Sequence, residues 1–281
     1  MAQKDFPVLV KFGCRLPVKL VSDDQSLPGF LDLSSGHFAS DPAASLDARS
    51  YSWIGRQWLS VGPEMQSPDG KHYAYTSGDG IHDVDLISGV DRRLLSNAPG
   101  QLLQYASDGI YLSKSAGYAG HLGLWRLNPS SAALTQVLPE TIAFDELGSG
   151  AAWYVEPRTE GPSPSTVYRI DLGSGARQVW YSQSNTWAVH LGTDPAGRPL
   201  VGSADTRDLS QESLSVVPSA GRATVIGSGS VDSVAWFVAL TDGNGLWFQS
   251  SSVSAPLWLL RSDDQLVKVE QAAVRPLGAC R

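Results

Sequence analysis

The chain of 281 residues is 42% hydrophobic, contains nine tryptophans and carries a formal net charge of −7 at pH 7. This much apolar material can form a core and excludes an intrinsically disordered chain, and no apolar run reaches the ~18 residues of a membrane-spanning helix. The acidic balance argues against a nucleic-acid partner, because such a partner needs a basic face.

The N-terminal quarter of the chain contains short apolar segments separated by small and polar residues. Apolar segments at residues 8–12 and 16–21 are interpreted as strands that pair with the C-terminal segment, residues 270–281. Residues 28–61 contain further apolar segments, a Ser-Ser-Gly turn and a polar loop. We interpret residues 28–61 as one meander of strands, the least regular in the chain.

From residue 66 onward the sequence repeats. Residues 66–95 read as a Ser-Pro-Asp-Gly turn, a strand, a Gly-Asp-Gly loop, a second strand, a Ser-Gly turn and a last strand. Turns that end in glycine recur, at spacings of 39, 41, 47 and 48 residues by subtraction, at Gly70, Gly109, Gly150, Gly197 and Gly245. A four-stranded propeller blade takes roughly 40–45 residues, and one such unit cannot bury its own apolar face.

These repeats predict an all-β, single-domain, six-bladed β-propeller of four-stranded antiparallel blades over residues 1–281. The predicted blades are residues 28–61, 62–96, 100–138, 141–181, 185–227 and 231–269, and residues 1–27 and 270–281 pair to close the ring. Seven blades is the alternative, if the two ends build a blade of their own. No segment has an apolar period of 3.6 residues long enough for a helix.

The repeat resembles that of the TolB-like β-propeller family. The resemblance is carried by Ser67-Pro68-Asp69-Gly70, Asp85-Leu86-Ile87-Ser88-Gly89, Asp108-Gly109, Asp171-Leu172-Gly173-Ser174-Gly175 and Asp242-Gly243-Asn244-Gly245. It covers about residues 60–269 and is specific for fold. Members of this family commonly act as periplasmic or extracellular binding scaffolds or as gating domains on peptidases, so the resemblance implies a fold and leaves the activity open.

The two cysteines, Cys14 and Cys280, lie near opposite ends of the chain, 280 − 14 = 266 residues apart. They are either two separate thiols or a disulfide, and a ring that brings its ends together favours the disulfide. The N-terminus lacks the apolar core of a signal peptide, so the protein is either cytosolic or exported with its leader removed. Because disulfides persist in oxidising compartments, the predicted bond favours a periplasmic or extracellular location with the leader absent from this sequence.

Five residues are candidates for acid–base catalysis, since His, Asp and Glu are the usual proton carriers in enzymes. His82 and His121 open the third strands of consecutive blades and could converge on one spot; the alternative is that each caps a strand end with a hydrogen bond. His190 faces either the channel or the sheet interior, where it would be a hydrogen-bonded core histidine. The acidic candidates are Asp145 and Glu146.

Polar and aromatic residues at the predicted channel mouth are candidates for binding. Oxygen-bearing side chains could hold calcium or another divalent metal: Glu64, Asp145, Asn185 and Asp232. Aromatic and basic side chains could contact a ligand: Trp187, Trp236, Tyr118 and Arg158. The alternative is that each of these residues simply lies on a solvated loop face and binds nothing.

Two functional hypotheses follow. The first is an exported, monomeric propeller that binds a small ligand or a partner protein at its loop face and channel mouth without catalysis. The alternative is a hydrolase of lactones, esters or phosphotriesters with a channel-mouth site and a divalent metal. A serine hydrolase, a nucleotide enzyme and a zinc peptidase are disfavoured, because Gly-x-Ser-x-Gly, Gly-x4-Gly-Lys and His-Glu-x-x-His are all absent.

Overall fold

The computed structural model describes residues 3–5, 13–21, 26–97, 100–115, 121–139, 142, 144–148, 150–156, 163–228, 237–250, 256–269 and 274–281. Nearly all of the secondary structure in these residues is β-strand, with one 3-10 turn at Pro63–Met65. None of the helices in the described part of the chain is long and apolar enough to cross a membrane.

The strands occur, in chain order, at β1 Gln3–Asp5, β2 Arg15–Val21, β3 Ser26–Asp32, β4 His37–Ser40, β5 Ser50–Ser52, β6 Gln57–Leu59, β7 His72–Ser77, β8 Gly80–Asp85, β9 Asp91–Ser96, β10 Gly100–Ala106, β11 Gly109–Ser115, β12 His121–Leu127, β13 Leu134–Leu138, β14 Glu146–Gly148, β15 Ala151–Glu156, β16 Thr166–Asp171, β17 Arg177–Ser182, β18 Thr186–Thr193, β19 Pro199–Asp205, β20 Asp208–Ser219, β21 Arg222–Ser228, β22 Phe237–Asp242, β23 Gly245–Ser250, β24 Leu257–Arg261, β25 Leu266–Val269 and β26 Val274–Pro276.

These strands form the antiparallel sheets of a six-bladed β-propeller, as the repeats predict. Four sheets are four-stranded, with the orders β10-β11-β12-β13, β14-β15-β16-β17, β18-β19-β20-β21 and β22-β23-β24-β25. The remaining sheets are β7-β8-β9, the short hairpin β5-β6, and the five-stranded sheet β1-β4-β3-β2-β26. The chain divides into a first compact unit (Met1–Leu46, Trp153–Arg169 and Arg177–Arg281) and a second (Asp47–Ala152 and Ile170–Ala176).

In the first unit, the two ends of the chain meet in one sheet. Strand β26 pairs with β2 through three residue pairs, from Val18↔Pro276 to Leu20↔Val274. The predicted disulfide is present between Cys14 and Cys280, whose Cα atoms are 5.6 Å apart. Strands of this sheet share a core with β23–β25, which buries side chains including Leu16, Val18, Leu31, Phe38, Trp247 and Leu259.

Residues 28–61 do not form the single meander that the sequence suggests. Strands β3 and β4 join β2 and β26 in the closing sheet, whereas β5 and β6 form a separate two-stranded hairpin. The physical reason is burial, because Leu31, Leu33 and Phe38 are fully buried in the core of the closing sheet. The ring-closing blade is thus built from β1, from β2–β4 and from β26 near the C-terminus, and the hairpin lies between β4 and β7 in the chain.

In the second unit, the alternating directions of the side chains along strand β8 determine which of them enter the core. Ile81 packs with Ala74 and Leu94 against Tyr105 and the apolar side chains of β11 and β12. Because side chains alternate along a strand, His82 faces the other way. The register of the β7-β8 pair places Tyr75 opposite His82, so the sheet β7-β8-β9 has an apolar face and a polar, aromatic face.

A candidate functional site on the β7-β8-β9 sheet

The polar face of this sheet centres on the imidazole ring of His82. Its Nδ1 lies 2.8 Å from Asp91 Oδ1, and its Nε2 lies 3.0 Å from Asp79 Oδ1. Tyr75 stacks on the ring, with centroids 4.7 Å apart, and donates its hydroxyl to Asp91 Oδ2 at 2.6 Å. The Ser77 hydroxyl donates to Asp79. Both nitrogens of one imidazole therefore face carboxylate oxygens that belong to different parts of the sheet.

This geometry favours the positively charged ring, because only the imidazolium donates from both nitrogens. Burial opposes that charge, but the hydrogen bonds to Asp91 and Asp79 outweigh it and raise the pKa of His82. The Ser77 hydroxyl and the His82 ring lower the pKa of Asp79 to about 2. The hydrogen bonds from Tyr75 and His82 lower the pKa of Asp91. The hydrogen bond between Tyr75 and Asp91 raises the pKa of Tyr75 to about 12.

Around the buried ring, the rim of the face is open to solvent. The side chains of Asp79, Asp91 and Arg93 are 58%, 43% and 53% exposed, against 11% for His82. Arg93 Nη1 lies 3.5 Å from Asp79 Oδ2, and Tyr73 lies beside Tyr75 with ring centroids 6.1 Å apart. We name the surface formed by Tyr73, Tyr75, Asp79, His82, Asp91 and Arg93 the His82 surface.

A second charged cluster lies on the opposite face of β8, around the buried Asp83. Tyr105 donates its hydroxyl to Asp83 Oδ1 at 3.2 Å, and Arg92 Nη2 donates to Oδ2 at 3.2 Å. His72 Nδ1 lies 3.4 Å from Oδ1. Burial, together with the Asp83 charge, raises the pKa of Tyr105. This carboxylate connects β8 and β9 with β10 inside the core, which is a structural task.

We expect the substitution Asp83→Ala to lower the free energy of unfolding by about 2 kcal/mol, because it leaves the buried Tyr105 hydroxyl without its acceptor. The matched control is Asp108→Ala, since Asp108 also accepts from the hydroxyl of a buried tyrosine, Tyr111, and from an arginine. Its side chain is 49% exposed, so water can replace it as the acceptor. That change is expected to cost less than about 1 kcal/mol. Urea denaturation of both variants measures the difference, and equal losses would contradict the assignment of Asp83 to the core.

The other predicted catalytic residues lie in different surroundings. His190 lies in β18 and stacks on Trp153, with centroids 5.5 Å apart, and burial lowers its pKa to about 3, so the ring is neutral. Asp145 is exposed and Glu146 begins β14, partly buried. His121 begins β12, but its side chain lies outside the described residues. The predicted pairing of His82 with His121 therefore stays a prediction, and the partners that His82 has in the structure are Asp79 and Asp91.

The predicted binding residues are placed only in part. Tyr118, Arg158, Asp232 and Trp236 lie outside the described residues. Trp187 is partly buried in β18.

Three of the four predicted metal ligands, Glu64, Asp145 and Asn185, lie among the described residues. Glu64 is exposed in the 3-10 turn, and Asn185 is an exposed residue with a positive φ of 54°. Among the described residues, no group of three or more His, Cys, Asp and Glu side chains could hold a metal ion. The metal site, with calcium or another divalent ion, stays a prediction.

Sequence reasoning missed Tyr75 and Asp91 as partners of His82. The sequence indicates a strand in which Tyr73 and Tyr75 share a face. A two-residue turn at Gly78-Asp79 then places Tyr75 opposite His82. The contact between Asp91 and His82 could not be predicted from the sequence, because the pairing of β8 with β9 shifts register between Ile81 and His82.

No protein-family model and no curated protein sequence matches this chain. Solved structures do match it. TolB from Acinetobacter baumannii is 14% identical with a TM-score of 0.57, over 97% of this chain and 68% of that one. An oligogalacturonate lyase in complex with manganese is 12% identical with a TM-score of 0.56, over 96% and 78% of the two chains. The acylaminoacyl peptidase of Pyrococcus horikoshii is 12% identical with a TM-score of 0.50, over 95% of this chain and 45% of that one. At these identities the likeness shows the fold alone, and the resemblance to TolB-like propellers holds at the level of fold.

Proposed function

We propose that this protein is an exported propeller that binds a ligand or partner at the His82 surface, without catalysis there. The observation that carries the proposal is that both nitrogens of the His82 ring are hydrogen-bonded to carboxylates, at 2.8 and 3.0 Å. A general base needs a nitrogen lone pair that can reach the substrate proton. In this arrangement the protonated ring holds its neighbours in place and has no lone pair to offer.

The rim of the His82 surface supports recognition. Asp79, Asp91 and Arg93 present charged, solvent-exposed groups, and the ring of His82 fixes the two carboxylates in position. Tyr73 and Tyr75 add partly exposed aromatic area. Tyrosine and arginine are enriched where proteins bind partners, and groups that are already held in place lose little entropy on binding.

The export part of the proposal is supported by the disulfide between Cys14 and Cys280. Disulfides persist in the periplasm and outside the cell, whereas cytosolic thiols are kept reduced. The bond joins the residue before β2 to the segment after β26, so it ties the two ends of the chain together at neighbouring strands of the closing sheet.

The binding test uses the purified protein and matched variants. Isotope-labelled protein is titrated with a library of oligosaccharides, amino acids and short peptides, and the amide shifts of Tyr73, Tyr75 and Arg93 are followed. Asp79→Asn is expected to weaken the binding of any hit, whereas Asp108→Asn, at the turn before β11, is expected to leave it unchanged. A hit that both variants weaken equally would contradict binding at the His82 surface.

The same preparation tests the hydrolase alternative. Metal content is measured by elemental analysis, and turnover is measured on chromogenic ester, lactone and phosphotriester substrates with and without chelator. We expect no turnover at this surface. Stoichiometric metal with chelator-sensitive turnover would establish the hydrolase instead, and turnover that Asp79→Asn abolishes would contradict a non-catalytic His82 surface.

A further inference from the structure

We propose that His82 is a pH-operated latch that fastens the β7-β8 turn to strand β9 when its ring is protonated and releases the turn when the ring is neutral. The latch is a property of the fold and does not depend on the binding role proposed above. If both hold, binding at the His82 surface depends on pH.

The latch follows from the number of donors on the ring. An imidazolium donates from both nitrogens, so it can bridge Asp91 in β9 and Asp79 in the turn. A neutral imidazole carries a single N–H, and its other nitrogen then directs a lone pair at a carboxylate oxygen. At 2.8 and 3.0 Å both contacts cannot persist in the neutral state, so one of them breaks.

The contact to Asp79 is the one that breaks. Asp91 is held in the strand ladder of β9 and also accepts the Tyr75 hydroxyl, so the Nδ1–H that points at it has a fixed acceptor. Asp79 is more exposed and lies in a two-residue turn, where the Ser77 hydroxyl and a second cation, Arg93 at 3.5 Å, remain as its partners when the ring lets go. The neutral ring therefore keeps its bond to Asp91, and Asp79 turns to Arg93 and solvent.

Release of the Asp79 side chain is expected to weaken a backbone hydrogen bond between the turn and the end of β9. The carbonyl oxygen of Asp79 accepts the amide N–H of Asn97 at 3.4 Å, which joins the turn to the residue after β9. This bond is long for an N–H···O bond, so it contributes little by itself and depends on the turn being held. Loss of the side-chain contact frees Gly78 and Asp79 together with the Asn97 amide.

Near neutral pH, His82 is the member of this cluster whose charge changes, because the groups that face it keep theirs. Asp79 and Asp91 are ionised, since the pKa of each is lowered. Tyr73 and Tyr75 are neutral, since the pKa of each is raised, and Arg93 is cationic. A histidine with a raised pKa stabilises the latched state fully below its ordinary value of 6.5, and this stabilisation is lost as the pH rises through the pKa of the folded state.

The first test reads the ring directly, by nitrogen-15 NMR of the wild-type protein from about pH 5 to about pH 9. We expect both ring nitrogens to be protonated at the acidic end, a His82 pKa above 6.5, and loss of the proton from Nε2. In Asp79→Asn the pKa is expected to fall by about 1 unit, and in Asp108→Asn it is expected to stay. A wild-type pKa at or below 6.5, or loss of the Nδ1 proton first, would overturn the latch.

The second test measures the release of the turn by hydrogen exchange of the Asn97 amide. After correction for the intrinsic pH dependence, exchange is expected to be faster at about pH 8.5 than at about pH 5.5, by about tenfold for each unit by which the His82 pKa is raised. His82→Gln is expected to abolish this pH dependence, because the amide side chain does not titrate. An equal pH dependence in the wild type and in His82→Gln would overturn the proposal.

Discussion

Replacing both Cys14 and Cys280 by serine is expected to lower the free energy of unfolding by about 4 kcal/mol. The disulfide joins residues 266 positions apart, so it removes a large part of the conformational freedom of the unfolded chain. In the folded state it lies beside a ladder of only three residue pairs between β2 and β26. Denaturant unfolding in non-reducing buffer measures the loss.

The closing sheet also predicts where the variant loosens first. Backbone bonds between Arg15 and Arg281, at 2.7 and 3.1 Å, extend the short ladder to the cysteines. Without the covalent bond, strand β26 is expected to fray, so the amides of Val274, Arg275 and Arg281 exchange faster. Reductant gives the matched control, because the chain has no other cysteines. It should bring the wild type to the level of the variant and leave the variant unchanged; a variant within about 1 kcal/mol of the wild type contradicts the prediction.

The blades and their closure were predictable because local turn chemistry and the spacing of turns encode them. Asp69 accepts bonds from the Ser67 hydroxyl and the Lys71 amide, so the Ser-Pro-Asp-Gly turn is fixed by residues adjacent in sequence. The cysteine pair could be inferred once a ring was predicted, since a ring brings the ends of the chain together. Both inferences use information that lies within one repeat or at the termini.

The first blade was misplaced because β3 and β4 belong to the closing sheet and not to one meander with β5 and β6. Strands β2–β4 complete their sheet with β26, from the other end of the chain, and the choice between this sheet and the hairpin β5-β6 rests on which apolar side chains meet in the core. The sequence predicts that the two ends of the chain pair, but it does not show that β3 and β4 join them in the same sheet. The same limit applies to His82, whose contact with Asp91 depends on a one-residue shift in the β8-β9 register.

The glycine repeat mixes two backbone positions that look alike in sequence. Gly70, Gly150 and Gly197 have φ between 71° and 74°, in the left-handed turn conformation. Gly109 and Gly245 have φ of 148° and 145°, and each opens a strand beside a neighbouring backbone carbonyl. The sequence does not distinguish these two backbone conformations, because glycine suits both a left-handed turn and a close approach of two strands.

Gly80 shares the second conformation, and Gly80→Ala is expected to lower the free energy of unfolding by about 3 kcal/mol. Its φ is +145°, which alanine rarely adopts, and an added Cβ would lie 1.9 Å from the carbonyl oxygen of Leu95 in β9. The backbone of β8 or β9 has to move to relieve this overlap. Since β9 carries Asp91, the same movement is expected to separate Asp91 from His82 and to lower the His82 pKa.

Gly78, two residues earlier in the same turn, provides the matched control. A Cβ at this position meets no atom within 4 Å, so Gly78→Ala is expected to leave the free energy of unfolding within about 0.5 kcal/mol of the wild type. Urea denaturation and NMR titration of His82 in the two variants distinguish a general sensitivity of the turn from the specific approach of β8 to β9. If Gly78→Ala destabilised the protein as much as Gly80→Ala, the close approach to Leu95 would not be what requires glycine at residue 80. A loss in Gly80→Ala alone, accompanied by a lower His82 pKa, would show that this approach also sets the position of the carboxylate that holds the ring.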